Sequence, residues 1–141
     1  CALPISDMVT CDALVHLDED RVVGQYTYPE SHPFIKGHFP GNPLMMGIMQ
    51  WSCVEDTVAA YLHHAQKNGE FKIAVDAILK SSEGAVIAEV KRAVLHAWMG
   101  IELILDHVEI VSTQKITFRS MVKPGETIFI DISLQSLTPI P

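Results

Sequence analysis

The chain has 141 residues and a mass of 15.6 kDa, a size that fits one domain and excludes two independent hydrophobic cores. Apolar residues make up 48% of the sequence and charged residues 19%, which excludes a disordered polymer, a collagen-like chain and a disulfide scaffold. The formal charge is −7, from 10 Lys and Arg against 17 Asp and Glu, without a cluster of basic residues. We therefore expect a single domain over residues 1–141 with a substantial core and no nucleic-acid partner.

Cysteine spacing and hydropathy indicate the compartment. The three cysteines, Cys1, Cys11 and Cys53, are an odd number without a C-x-x-C spacing, which argues against a disulfide framework and a structural zinc site. No apolar stretch approaches the roughly 20 residues of a membrane helix, and the N-terminus has no signal-peptide pattern. The sequence predicts a cytoplasmic protein with no membrane partner. Cys1 to Ser6 are set aside, because a chain that begins on Cys without Met resembles the edge of a fragment.

The N-terminal third of the chain combines a hairpin with a long loop. An acidic turn over residues 18–20 separates two predicted strands, Val9 to His16 and Arg21 to Tyr28. From Pro29 to Pro43, prolines and glycines break both the helix and the strand periodicity. Loops of this length inside a compact domain are usually functional, so this loop is the first place to look for a site.

One helix and four strands are predicted after the loop. The helix, Met45 to Gln66, is apolar on nearly every face, which predicts a buried helix, and Asn68-Gly69 follows it as a stop signal. Four strands are predicted after it: Phe71 to Leu79, Ala85 to Trp98, Ile101 to Phe118 and Thr127 to Leu134. The expected architecture is α+β, an antiparallel sheet wrapped around one long buried central helix.

The chemistry concentrates where the loop meets the helix, in the segment HFPGNPLMMGIMQ from His38 to Gln50. A histidine held by prolines and glycines has few soft dihedrals around it, and its pKa of about 6.5 suits a general base. Gly47 falls in the first helical turn, where backbone N–H groups can stabilise a developing oxyanion. A fixed base together with an oxyanion-binding turn suits the removal of a proton from the carbon next to a carbonyl. The competing interpretation is a hydrogen-bonded loop histidine and a glycine that allows close helix packing.

The string GHFPGNPLMMGIMQ resembles the signature of the 3-hydroxyacyl-ACP dehydratases of the hotdog fold, the FabZ/FabA type, which runs G-H-F-P-G-x-P-x-M-P-G. A second segment, KITFRSMVKPGE from Lys115 to Glu126, resembles the strand signature K-x-x-F-[RK]-x-x-V-x-P-G-D of the same family. Weaker similarity covers about residues 8 to 62 and 108 to 135. The resemblance implies a hotdog fold for this chain.

The resemblance also implies roles for individual residues. His38 would take the C2 proton of a 3-hydroxyacyl thioester, and the backbone N–H of Gly47 would bind the thioester carbonyl. Phe39, Pro43 and Met45 would shape the acyl entrance. The implied reaction is reversible dehydration to a trans-2-enoyl thioester without metal or cofactor, on acyl-ACP or acyl-CoA, in fatty-acid or related metabolism. The family site lies between two protomers, so a homodimer or a dimer-based oligomer is expected.

The sequence departs from the family at the position of the second catalytic group. Fourteen residues after the histidine the family has Glu or Asp, and this chain has Ser52, whose hydroxyl can bind water but cannot replace a carboxylic acid. Asp56 lies one helical turn further on the same face, where burial would raise the pKa of a carboxylate. We predict Asp56 as the relocated acid, with Glu55 as the second choice. An ordinary hydrogen-bonded or solvated carboxylate is the alternative at both positions.

Two further departures affect the pocket and the sheet. Met46 replaces the family proline before Gly47, and with Met45 and Met49 it is expected to line the core or the acyl pocket. About 20 extra residues separate the helix from the second signature, and the last predicted strand ends near Leu134, where the family continues into two more strands. Either the strand order differs or the C-terminus is truncated.

Other activities are weaker candidates. Adjacent histidines such as His63 and His64 point about 100° apart on a helix, which argues against a zinc site, and Cys53 fits a core residue better than a nucleophile. Two alternatives to a dehydratase stay open. One is an acyl-binding or partner subunit without the acid, and the other is a hotdog thioesterase in which an acidic residue activates water.

Overall fold

A computed structural model describes residues 11, 13–27, 47–103, 105–120 and 125–140. These residues form one helix and seven strands. The elements, in chain order, are β1 (Ala13–Leu17), β2 (Arg21–Thr27), α1 (Gly47–His64), β3 (Gly69–Ser81), β4 (Val86–Met99), β5 (His107–Ser112), β6 (Lys115–Phe118) and β7 (Thr127–Ile140).

The strands form a single antiparallel sheet in the order β1-β2-β7-β3-β4-β5, and β6 pairs with the other half of β4. β7 therefore lies between the N-terminal hairpin and the β3–β4 hairpin, which occupies the middle of the sheet. The predicted α+β class with one antiparallel sheet is confirmed. β7 extends six residues beyond the predicted end at Leu134 and pairs with β3 along its length.

The β3–β4 hairpin follows its sequence pattern closely. Residues alternate between buried and partly exposed along both strands, because successive side chains of a strand point to opposite faces. At the turn, the N–H of Ser81 donates to the carbonyl of Ala85 at 2.8 Å, and Gly84 has a φ of 90° that favours glycine. The two predicted strands are confirmed: β3 extends two residues further at each end than predicted, and β4 is displaced by one residue toward the C-terminus.

The prediction of one continuous strand from Ile101 to Phe118 is wrong. The chain leaves β4 through Gly100, whose φ is 65°, and its N–H donates to the Asp106 carboxylate at 2.7 Å, which closes a loop over residues 100–106. Leu103 and Leu105 are 99% and 89% exposed in this loop, so the apolar run there is not a strand of the core. β5 and β6 then pair with separate halves of β4.

Helix α1 packs on one face of the sheet, against β1, β2, β4, β5 and β7. The closest approach involves Gly24 of β2, where a Cβ would lie 2.6 Å from the Thr57 hydroxyl oxygen. Glycine at this position lets the helix approach the sheet. The fully buried larger side chains between helix and sheet are Leu62, Ile73, Leu79, Leu95, Ile128, Ile130, Ile132, Val22, Val54 and Val58.

Helix α1 ends two residues before the predicted stop. Gln66 has a left-handed φ of 55°, and the N–H of Lys67 donates to the carbonyl of Leu62 at 2.9 Å, a common way of satisfying the last carbonyls of a helix. Gly69, with a φ of 113°, then begins β3. The helix within the predicted range Met45 to Gln66 is confirmed.

Candidate functional site

The site predicted from the sequence lies at the N-terminal end of α1. Gly47 is the first residue of α1 in the described part of the chain, and the sequence predicts it in the first turn of a helix from Met45. The first turn of an α-helix presents backbone N–H groups that have no acceptor within the helix, together with the positive end of the helix dipole. This end of α1 can therefore bind a carbonyl oxygen that gains negative charge. The predicted site residues of the preceding loop, His38, Phe39, Pro43, Met45 and Met46, lie outside the described residues.

Two faces of α1 carry the polar side chains near this end. Gln50 and Thr57 are buried, at 4% and 0% exposure. Ser52, Glu55 and Asp56 are half-buried on the other side of the helix. Positions 52 and 56 share a helix face, as the sequence predicts, and position 55 is turned by about 100° from 56. The structure thus separates the fully buried polar groups from the group of candidate acids.

Glu55 is held by the edge of the sheet. Its Oε2 accepts a hydrogen bond from the backbone N–H of Ile110 in β5 at 2.8 Å. Desolvation raises the pKa of this carboxyl, with a smaller contribution from the nearby negative charge of Asp56, while the Ile110 N–H opposes the shift. A raised carboxyl pKa is the property expected of a general acid, and here it belongs to the second choice made from the sequence.

Gln50 was overlooked as a functional candidate. Its side-chain oxygen is buried, and no hydrogen-bond partner for it is found in the described part of the chain. Thr57, one heptad further, is satisfied locally, because its hydroxyl donates to the Cys53 carbonyl at 2.7 Å. The signal in the sequence was a glutamine at helical spacing from buried Cys53 and Thr57, on a face otherwise suited to apolar residues.

The other end of α1 has a separate polar depression of about 330 Å³, lined by His63, Gln66, Lys67, Asn68, Met99 and Asp106. His63 lies about 24 Å along the helix axis from Gly47, so this depression does not belong to the predicted site. Within residues 11, 13–27, 47–103, 105–120 and 125–140, no group of three or more His, Cys, Asp or Glu could hold a metal ion. Cys11 and Cys53 are both buried.

Comparison with protein families gives one match. Residues 15–78 match the ApeI-like family, described as ApeI dehydratase, which is a hotdog-type dehydratase family. The matched segment runs from β1 through α1 into β3 and includes the first signature, and it covers a little under half of the chain. It confirms the resemblance to a hotdog-type dehydratase family. Comparison with curated proteins finds no match. No helix among the described residues has the length and apolar character needed to cross a membrane.

Proposed function

We propose that this protein is a hotdog-fold dehydratase that converts 3-hydroxyacyl thioesters to trans-2-enoyl thioesters and water. The observation that carries the proposal is the position of the signature: GHFPGNPLMM runs directly into helix α1 at Gly47, inside the segment that matches the dehydratase family. The antiparallel sheet packed on one long helix is compatible with a hotdog fold. Acyl-ACP and acyl-CoA both fit the proposal, since both present the same thioester.

The proposed reaction uses three groups. The His38 imidazole removes the C2 proton, and the electron pair moves toward the thioester carbonyl, whose oxygen accepts a hydrogen bond from the Gly47 N–H. Collapse of this enolate forms the C2–C3 double bond and breaks the C3–O bond. The departing hydroxide needs a proton and leaves as water. No metal or redox cofactor enters this balance.

The donor of that proton is Asp56 or Glu55 in our proposal. Asp56 shares a helix face with Ser52, which occupies the family position of the acid. Glu55 has the raised pKa, but its carboxylate is engaged with β5. We favour Asp56, because its position on the helix face is the one nearest to that of the family's acid.

A second candidate function is supported by Ser52. A chain that keeps the acyl pocket but has no working acid would bind acyl thioesters without dehydrating them, as a partner subunit. Removal of a general acid lowers rates on the order of 10²–10⁴-fold. Under this alternative, the restored acid in Ser52→Glu would give an activity that the natural chain lacks.

The test is hydration of crotonyl-CoA and of a longer 2-enoyl thioester by the purified protein. We expect activity in the wild type, a loss of about 10²-fold or more in both His38→Ala and Asp56→Asn, and little change in Glu55→Gln, the matched control. A silent wild type with an active Ser52→Glu variant would establish the acyl-binding alternative. Silence in every variant would overturn the dehydratase proposal.

The proposal includes a homodimer, because the family that the motif resembles places its site between two protomers. Light scattering of the purified protein should then give about twice the 15.6 kDa mass of the chain. A monomer that still hydrates 2-enoyl thioesters would separate the activity from the dimer.

A further inference from the structure

Gln50 is a buried polar side chain that the structure leaves incomplete. It is 4% exposed, and its Oε1 has no hydrogen-bond partner among the described residues. Buried carbonyl oxygens without partners are rare in folded proteins, because they lose their hydrogen bonds to water and gain none. Leucine or methionine would fit an apolar helix face without this cost. The unpaired oxygen therefore indicates that a hydrogen-bond donor from outside these residues belongs there.

Gln50 lies close to the predicted carbonyl-binding turn. It follows Gly47 by three residues, so the two positions share a helix face and differ by about 4.5 Å along the axis. Ser52 and Asp56 lie on the opposite side of α1 by helix geometry. Gln50 is thus placed to contact a ligand that binds at Gly47, and the acid that protonates the leaving 3-hydroxyl would then come from the partner protomer of the proposed dimer.

We infer that the Gln50 carboxamide oxygen accepts a hydrogen bond from the 3-hydroxyl group of the acyl thioester, an assignment that rests on the proposed function. Along an acyl chain the 3-hydroxyl is the one donor, and everything beyond C3 is apolar. The carbon that carries this hydroxyl is two carbons from the thioester carbonyl carbon. That separation fits a carbonyl at Gly47 and a hydroxyl at Gln50, about 4.5 Å further along the helix.

Gln50 acts here as a substrate-positioning residue. A carboxamide has no proton to give to a leaving hydroxide at neutral pH, so Gln50 does not replace the missing acid. It fixes the C3–O bond and selects for substrates that carry the hydroxyl. An acceptor in an apolar wall rejects an analogue without the hydroxyl, because that analogue leaves the buried oxygen unpaired.

The test compares two pantetheine thioesters, 3-hydroxyoctanoyl and octanoyl, which contain the portion that ACP and CoA share. Binding is measured by calorimetry to the full-length His38→Ala protein, in which the substrate is not turned over, and to the same protein with Gln50→Met. We expect the Gln50 protein to prefer the 3-hydroxy ligand by about 10-fold. In Gln50→Met the preference should fall to within about 2-fold, while octanoyl binding is unchanged or tighter.

Each outcome has one meaning. A preference that persists in Gln50→Met would overturn the assignment of Gln50 and leave the proposed function standing. Failure of both thioesters to bind the Gln50 protein would overturn the proposed function together with the assignment. Because Gln50→Met removes an unpaired buried acceptor, its melting temperature without ligand should be at least that of the parent. If that variant does not fold, Gln50→Leu provides the same comparison.

Discussion

Glu55 shows how one side chain can be a structural contact and a catalytic candidate at once. Its carboxylate joins α1 to the edge strand β5 through the Ile110 N–H, at 2.8 Å. Burial raises its pKa, so folding favours the protonated form over the ionised form. The same desolvation that would suit a general acid therefore makes this contact dependent on pH.

The stability of the protein should reflect the titration of Glu55. Because the pKa is raised in the folded state, the contribution of Glu55 is fully present below the unfolded value of 4.5 and is lost as pH rises through the folded pKa. Glu55→Gln keeps an acceptor for Ile110 and removes the titration. Urea unfolding from pH 4 to pH 8 should show the wild type losing stability relative to Glu55→Gln as pH rises.

The control for this prediction is Glu55→Ala, which removes the acceptor as well as the charge. It should be about 1 kcal/mol less stable than Glu55→Gln across the same pH range. A constant difference between wild type and Glu55→Gln at every pH would contradict the assignment of a raised pKa to this carboxyl.

At the scale of the elements, the strand pairing is irregular along one line that crosses three strands. The β3–β4 pairing shifts register between Val75 and Ala77, and the β3–β7 pairing shifts between Ala74 and Val75. Arg92 in β4 has a left-handed φ of 49° at the same level. Asp76 of β3 contacts both neighbouring strands at this level. Its carboxylate accepts hydrogen bonds from the Arg92 N–H of β4 at 2.9 Å and from the Gln135 side-chain amide of β7 at 3.2 Å.

Removal of the Asp76 carboxylate should therefore weaken the whole sheet. Asp76→Ala leaves the Arg92 N–H and the Gln135 amide without their acceptor, and we expect a loss of about 2 kcal/mol in the free energy of unfolding. Asp76→Asn retains an oxygen for Arg92 and should lose about half as much. Chemical denaturation measures both. Equal stability of Asp76→Ala and wild type would show that the irregular pairing is maintained by the strands alone.

The elements that the sequence predicted well are those whose pattern is local. Alternating burial specifies the β3–β4 hairpin, and the apolar helix with Asn68-Gly69 after it specifies α1. The loop between β4 and β5 could not be predicted, because it depends on Asp106 accepting the Gly100 N–H, a contact between loop residues. The register shifts at Asp76 could not be predicted either, because Asp76 contacts side chains and backbone that are distant in sequence.

In the candidate site, too, the features set by local sequence could be predicted and the features set by packing could not. Local sequence signals predicted a helix that contains Gly47 near its N-terminus, and α1 is described from Gly47 onward. Which carboxylate is desolvated depends on the strand that packs beside the helix, and β5 engages Glu55 through Ile110. The unpaired oxygen of Gln50 is a property of packing, since nothing in a sequence states whether a buried amide finds a partner.

At the scale of the whole molecule, Asp131 connects the N-terminal hairpin to the central sheet. Its carboxylate accepts two hydrogen bonds from the Arg21 guanidinium of β2, at 2.9 and 2.8 Å, and lies 3.7 Å from the Lys80 ammonium of β3. These contacts tie β2 and β3 to opposite sides of β7. The hydrogen bonds from Arg21 are the main reason that the pKa of Asp131 lies below its usual value of 3.8.

This geometry predicts how the free energy of unfolding falls at acid pH. Because the pKa of Asp131 is lowered in the folded state, its contribution is present above pH 3.8 and is lost as pH falls through the folded pKa. Asp131→Asn should be less stable than wild type at neutral pH, with a shallower loss in acid, and Arg21→Gln should change stability in the same direction because it breaks the same pair. Both variants should still lose some stability in acid. We expect this remaining loss to come from Asp18, whose pKa of about 2 depends on His16 and on neighbouring N–H groups. Urea unfolding from pH 2 to pH 7 measures all three proteins, and an identical loss of stability in acid would show that the hairpin is held to the sheet without this ion pair.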